Sequence, residues 1–174
     1  MALINTTTTG VLGTTVYGDG AGALTVQENG VTINKITSAP AFSAIKNATQ
    51  SALSSGTWTK IVFQTEEFDT ASTYNTSTSV FTPNVAGYYQ INLEIYTSGS
   101  GSTQGNGMIY KNGAAAKGSF AGISNGQCSV IPALIYLNGS TDYIEAYGYI
   151  GTASGVIAGD ANYCYFQAWL ARAA

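Results

Sequence analysis

From Pro40 onward, apolar and polar residues alternate in short runs, and clusters of Gly, Asn and Ser separate the runs. A period of two sends successive side chains to opposite faces of a strand. The pattern predicts strands near 41–46, 59–63, 80–82, 87–96, 106–111, 116–123, 128–137, 142–148 and 163–172. Lys111-Asn112-Gly113 and Leu137-Asn138-Gly139 predict tight turns between them. Phe42, Ile45, Thr49 and Leu53 also recur at helical spacing. The Ser54-Ser55-Gly56 that follows favours a strand over 41–46 and then a loop. In the closing run, Cys164, Phe166, Ala168 and Leu170 fall on one face, and Tyr163, Tyr165, Gln167 and Trp169 on the other. Large side chains on both faces leave neither freely solvated. Many short strands at this spacing mean a β-sandwich or barrel.

Residues 1–39 read differently. They are rich in Thr and Gly, and Gly18-Asp19-Gly20-Ala21-Gly22 is their most flexible stretch. Two alternating runs, around Val26 and around Val31 and Ile33, flank Asn29-Gly30, a strong hairpin signal. The segment can pair strands but is too short to bury a core of its own. It is expected to be an attachment arm, ordered only against a partner. The domain proper is expected over 40–174.

Composition narrows the function. The chain has 174 residues, 45% of them hydrophobic, with 12 Tyr, 6 Phe and 21 Gly. That supports one strand-rich domain with a real core. Charged residues are only 9%, so the surface must be largely Thr, Ser, Asn, Gln and Gly. Six basic residues are scattered and the net charge is −3, which argues against nucleic acid as a partner. No apolar run approaches the roughly 20 residues that span a bilayer, so no membrane partner is expected. The N-terminus lacks the positive segment and apolar core of a secretory signal. Cys128 and Cys164 are then expected as reduced thiols rather than a disulfide.

Catalytic chemistry finds few candidates. The chain contains no histidine, which removes Ser-His-Asp and Cys-His arrangements. Glu66 and Glu67 are adjacent and point to opposite faces of a strand, so they cannot work as a carboxylate pair. Zinc would need Cys and His clusters. Asp19, Asp142, Glu145 and Asp160 are too dispersed to define a calcium loop. No cofactor, no metal and no enzymatic activity are expected. Tyr147, Tyr149, Tyr163 and Tyr165 near the last loop remain as a candidate surface for a sugar or a protein.

One run of spaced aromatics carries a resemblance. Phe63 is followed after five residues by Asp69, after four by Tyr74, after six by Phe81, and after five by Gly87-Tyr88-Tyr89. This spacing resembles the signature of the C1q-like domain. Pro40-Ala41-Phe42-Ser43-Ala44 resembles that family's opening strand, and Phe166-Gln167-Ala168-Trp169-Leu170 its closing strand, with Ala168 in place of the family's usual Gly. The resemblance implies a ten-stranded jelly-roll sandwich that assembles as a homotrimer. It implies core or trimer-packing roles for Phe42, Phe63, Tyr74, Phe81, Gly87, Tyr89, Phe166 and Trp169. It also leaves calcium open, since some trimers of the family bind it.

The extension, the missing secretory signal, the low charge and the resemblance to a trimeric jelly roll together point to a bacteriophage virion protein. A capsid decoration or cement protein on the outer capsid surface is the expectation. Its arm would hold the major capsid protein, and its chain lacks a fibre's long shaft. The alternative is a receptor-binding head of a fibre or spike that recognises a host glycan or protein.

Overall fold

The computed structural model describes residues 15–18, 24–28, 31–36, 39–51, 53–98, 105–119, 126–151 and 155–174. The chain forms two compact units, Met1–Ala39 and Pro40–Ala174. In the first unit, β1 (Thr15–Gly18), β2 (Leu24–Glu28) and β3 (Val31–Ile36) make a three-stranded antiparallel sheet in that order. Glu28 faces Val31, so the β2–β3 pair closes across residues 29 and 30, as the alternation around them predicts. Asn29 and Gly30 themselves lie outside the described residues, and so does most of the Gly18–Gly22 stretch. The pattern did not foresee β1, a run of only four residues.

The second unit is a jelly-roll sandwich of two six-stranded antiparallel sheets. Its strands are β4 (Ala41–Ile45), β5 (Trp58–Lys60), β6 (Thr65–Asp69), β7 (Tyr74–Asn75), β8 (Val80–Phe81), β9 (Gly87–Ser98), β10 (Gly105–Lys111), β11 (Ala114–Gly118), β12 (Gln127–Leu137), β13 (Ile144–Ile150), β14 (Val156–Ile157) and β15 (Tyr165–Ala173). Sheet I runs β12-β9-β15-β4-β6, with β14 added on β9. Sheet II runs β11-β10-β13-β8-β7, with β5 added on β13. Neighbours in each sheet are mostly distant in sequence, as a jelly roll requires. The second unit has twelve strands where nine were expected; β6, β7 and β14 were not foreseen, and β7 and β14, at two residues each, have no alternation to read. Residues 41–45 are a strand and not a helix, because β4 pairs with both β15 and β6.

The alternation sets the core. In β9, Tyr89, Ile91, Leu93 and Ile95 are fully buried, while the residues between them face outward. Ile131, Ala133, Ile135 and Leu137 of β12 keep the same phase. Sheet II answers with Phe81, Ile109, Ile144, Ala146 and Ile150. The spaced aromatics meet at one end. Phe42 stacks on Tyr74 at 4.6 Å and on Phe81 at 4.5 Å, and meets Phe166 edge-on at 5.1 Å. Phe81 packs edge-on against Tyr89, and Phe63 lies 5.9 Å from Phe166. Both tyrosines are hydrogen-bonded as buried phenols must be: Tyr74 donates to the Phe63 carbonyl and Tyr89 to the Val85 carbonyl, each at 2.8 Å.

The turns have local causes. Asp69 accepts the backbone N–H groups of Ala71, Thr73 and Tyr74, which folds residues 70–73 back onto β6. Gly87 does not have positive φ. It is there for close approach, since a Cβ would lie 2.4 Å from the Arg172 carbonyl oxygen on β15. Asn112 and Gly113 both take left-handed φ, 53° and 77°, the requirement of a two-residue hairpin turn.

Candidate functional site

The outward faces of the two sheets differ in chemistry, and each gathers residues scattered in sequence. On sheet I the outward positions of β12, β9 and β15 line up in rows. Tyr136 faces Tyr88, with ring centroids 5.5 Å apart. Leu134 faces Gln90, which faces Trp169. Pro132 faces Asn92 and then Gln167, and Val130 faces Glu94 and then Tyr165. Val130 and Leu134 are more than half exposed, at 52% and 54%, and Trp169 is 42% exposed. Beside them, Tyr88, Leu134 and residues 171–174 line a hollow of 530 Å³. Trp169 is therefore not part of this chain's core, unlike Phe42, Phe63, Tyr74, Phe81, Tyr89 and Phe166. Its place in β15 sends it outward, because Phe166 and Ala168 take the inward phase.

Glu94 is the carboxylate within these rows. The Tyr165 hydroxyl bonds to it, and that bond, aided by burial, pushes the phenol up to about 12. The Cys128 thiol is also pushed up to about 12, by burial first and then by its own bond to Glu94. Cys164 is fully buried, accepts the Tyr96 N–H at 3.1 Å, and is raised by burial. Both cysteines are free thiols with pKa moved away from the thiolate, the opposite of what a nucleophile needs. Among the described residues, no three His, Cys, Asp or Glu side chains converge as metal ligands. The adjacent Glu66 and Glu67 are both exposed on edge strand β6, and Glu67 is engaged by the Ser43 hydroxyl at 2.6 Å.

Sheet II presents an aromatic and hydrogen-bonding face instead. Tyr149 pairs with Trp58 across one strand boundary, and their rings lie 5.5 Å apart. Tyr147 stacks on Tyr110 of β10 at 3.8 Å and 16°. Lys60 and Glu145 form an ion pair beside them, both side chains mostly covered. None of the exposed large apolar side chains lies on β5, β10 or β13.

The four tyrosines expected as one surface are thus two pairs on opposite sides of the sandwich. Tyr147 and Tyr149 belong to sheet II, while Tyr165 belongs to sheet I and Tyr163 sits against Tyr96 of that sheet. Proximity in sequence to the 150–161 loop misled, because that connection carries the chain from one sheet to the other. Trp58 and Tyr110 were missed, since nothing local links them to Tyr147 and Tyr149. The sheet I row of Val130, Leu134 and Tyr136 had a readable signal: the run 128–137 is apolar in both phases. Val26, Val31 and Ile33 lie in β2 and β3 of the first unit.

No family model matches the chain, and no curated protein matches its sequence. Solved structures do match in fold. The globular domain of the zebrafish complement 1qA protein is 16% identical, with 78% of this chain and 99% of that one covered and a TM-score of 0.54. Eiger TNF from S. frugiperda is 11% identical, with 79% and 96% covered and a TM-score of 0.57. Murine APRIL is 8% identical, with 76% and 98% covered and a TM-score of 0.56. The chain has the C1q/TNF-like jelly-roll fold. At these identities the likeness speaks for fold alone.

Proposed function

We propose that this protein is a non-enzymatic, self-associating module, a homotrimer built on the outward face of sheet I. One observation carries the reading: Val130, Leu134, Tyr136, Tyr88 and Trp169 are large apolar side chains exposed together on the outward face of β12, β9 and β15. Soluble monomers rarely leave such a patch open, and a second copy covers it with matching chemistry. Glu94 in the same rows has hydrogen-bond partners in its own chain, Tyr165 and Cys128. Native mass spectrometry at micromolar concentration should give three chains. Leu134→Glu should shift the mass to one chain with the circular dichroism of the strands retained. A well-folded wild-type monomer under those conditions overturns the reading.

The finer role is that of a virion protein of a bacteriophage, a capsid decoration or cement protein on the outer capsid surface. Three features support it: a surface nearly without charge, a separate N-terminal unit of paired strands, and the jelly roll itself. The arm's strands would add to a strand of the major capsid protein, where main-chain hydrogen bonds give affinity without charge. Three arms per trimer then turn weak contacts into a durable one through effective concentration.

A further inference from the structure

We propose that the outward face of sheet II is a binding site for a neutral saccharide chain, with Trp58 and Tyr149 as its stacking platform and the Tyr147–Tyr110 stack beside them. The proposal rests on what this face has and sheet I lacks. Aromatic rings offer the C–H side of a pyranose a flat apolar surface, and their hydroxyl or indole edges remain polar. The four rings lie on three neighbouring strands, β5, β13 and β10, along four residues of β13 or about 13 Å of strand. Trp58 and Tyr149 are tilted at 51° to each other, so they do not close on one another as the Tyr110–Tyr147 pair does at 16°. Both side chains are partly exposed.

Polar groups adjoin the rings. Lys60 lies in register with Tyr147 and Glu145 with Tyr110, so the ion pair flanks the Tyr147–Tyr110 stack, one side chain a donor and the other an acceptor. Their charges cancel, so the platform favours neither an anion nor a cation. The face continues past Glu145 through Val80 and Asn75, which are its register partners in turn. There it opens into a groove of 420 Å³ whose walls include Thr73, Asn75 and Thr78. Aromatic rings, a neutralised ion pair and a groove edged with hydroxyl and amide groups suit a polyhydroxylated chain. A protein partner would find here none of the exposed aliphatic side chains that sheet I presents. The inference stands apart from the decoration role, since failure to bind capsids leaves it unaffected.

The test is an array of neutral oligosaccharides, including gluco-, malto- and chito-hexaoses and bacterial O-antigen chains, probed with the full-length protein. At least one neutral chain should be retained. Trp58→Ala and Tyr149→Ala should each weaken that binding at least tenfold, and Phe68→Ala, on exposed edge strand β6 of the opposite sheet, should leave it unchanged. Trp58→Phe keeps an aromatic face and should keep most of the binding, which separates loss of the platform from loss of the fold. Melting curves of all four variants check that each is folded. Absence of any neutral glycan on the array overturns the proposal. So does binding that survives both Trp58→Ala and Tyr149→Ala, or binding that is lost equally in Phe68→Ala.

Discussion

Single residues in this protein act through burial. Phe81 touches Phe42 and Tyr89 and is wholly enclosed, so Phe81→Ala leaves a void that the two sheets cannot close. The expected loss is about 3–5 kcal/mol, read as a lower urea midpoint with unchanged slope. Tyr74 and Tyr89 respond to pH for the same reason. Burial pushes both phenols from 10.0 up to about 12. A raised pKa means that the folded state holds the proton more tightly than the unfolded chain does. The contribution is fully present below pH 10 and is lost as pH rises from 10 to about 12. The melting temperature should therefore fall across that window. Tyr74→Phe, which removes one of the raised phenol titrations, should make the fall shallower. A melting temperature constant from pH 9 to 12 would contradict this account.

At the scale of an element, the hairpin ends are tied by polar side chains and not by packing. Asp142 joins two turns at once: Lys111 and Asn112 donate to its carboxylate at 2.8 and 2.7 Å, and the Asn138 N–H at 3.1 Å. Asn138 returns the bond by accepting the Asp142 N–H. The bond from Lys111, then that from Asn112, holds the Asp142 carboxyl below 3.8. For a lowered pKa the stabilisation is complete above 3.8 and is lost as pH falls through the lower folded value. An acid titration of the melting temperature should show this limb, and Asp142→Asn should flatten it. An acid limb of equal depth in Asp142→Asn would assign it to other carboxylates. Asp69 plays the corresponding part for residues 70–73. Asp69→Ala abandons three backbone donors and is expected to cost about 1–3 kcal/mol, measured by thermal denaturation.

For the whole molecule, the informative quantity is the difference between the two outward faces. Sheet I exposes Val130, Leu134 and Trp169, and sheet II half-covers its aromatics and pairs its charges. The two units make a separable prediction. A chain starting at Pro40 keeps the whole sandwich and its apolar face, so it should fold and assemble as the full-length protein does. It should fail to bind empty capsids if the arm is the anchor. Decoration of capsids by that shortened chain at full-length affinity would move the attachment surface to the jelly roll.

Much of this was legible in the sequence because strands report their own phase. The period-2 runs located the long strands β9, β12, β13 and β15 to within a few residues; the aromatic spacing pointed to Phe63 and Phe81 as core, and the resemblance carried by the opening and closing strands pointed to Phe42 and Phe166. The Asn112-Gly113 turn was equally plain, since its φ values are a local demand. Alternation says which residues share a face of one strand, but not which strand lies beside it or which sheet it joins. Those are long-range pairings, decided when the core closes. Only the tertiary structure separated Tyr147 and Tyr149 from Tyr163 and Tyr165, and only it brought Trp58, Lys60 and Tyr110 to the first pair. The same pairings turned Trp169 outward beside Leu134, forming a face that no single strand contains.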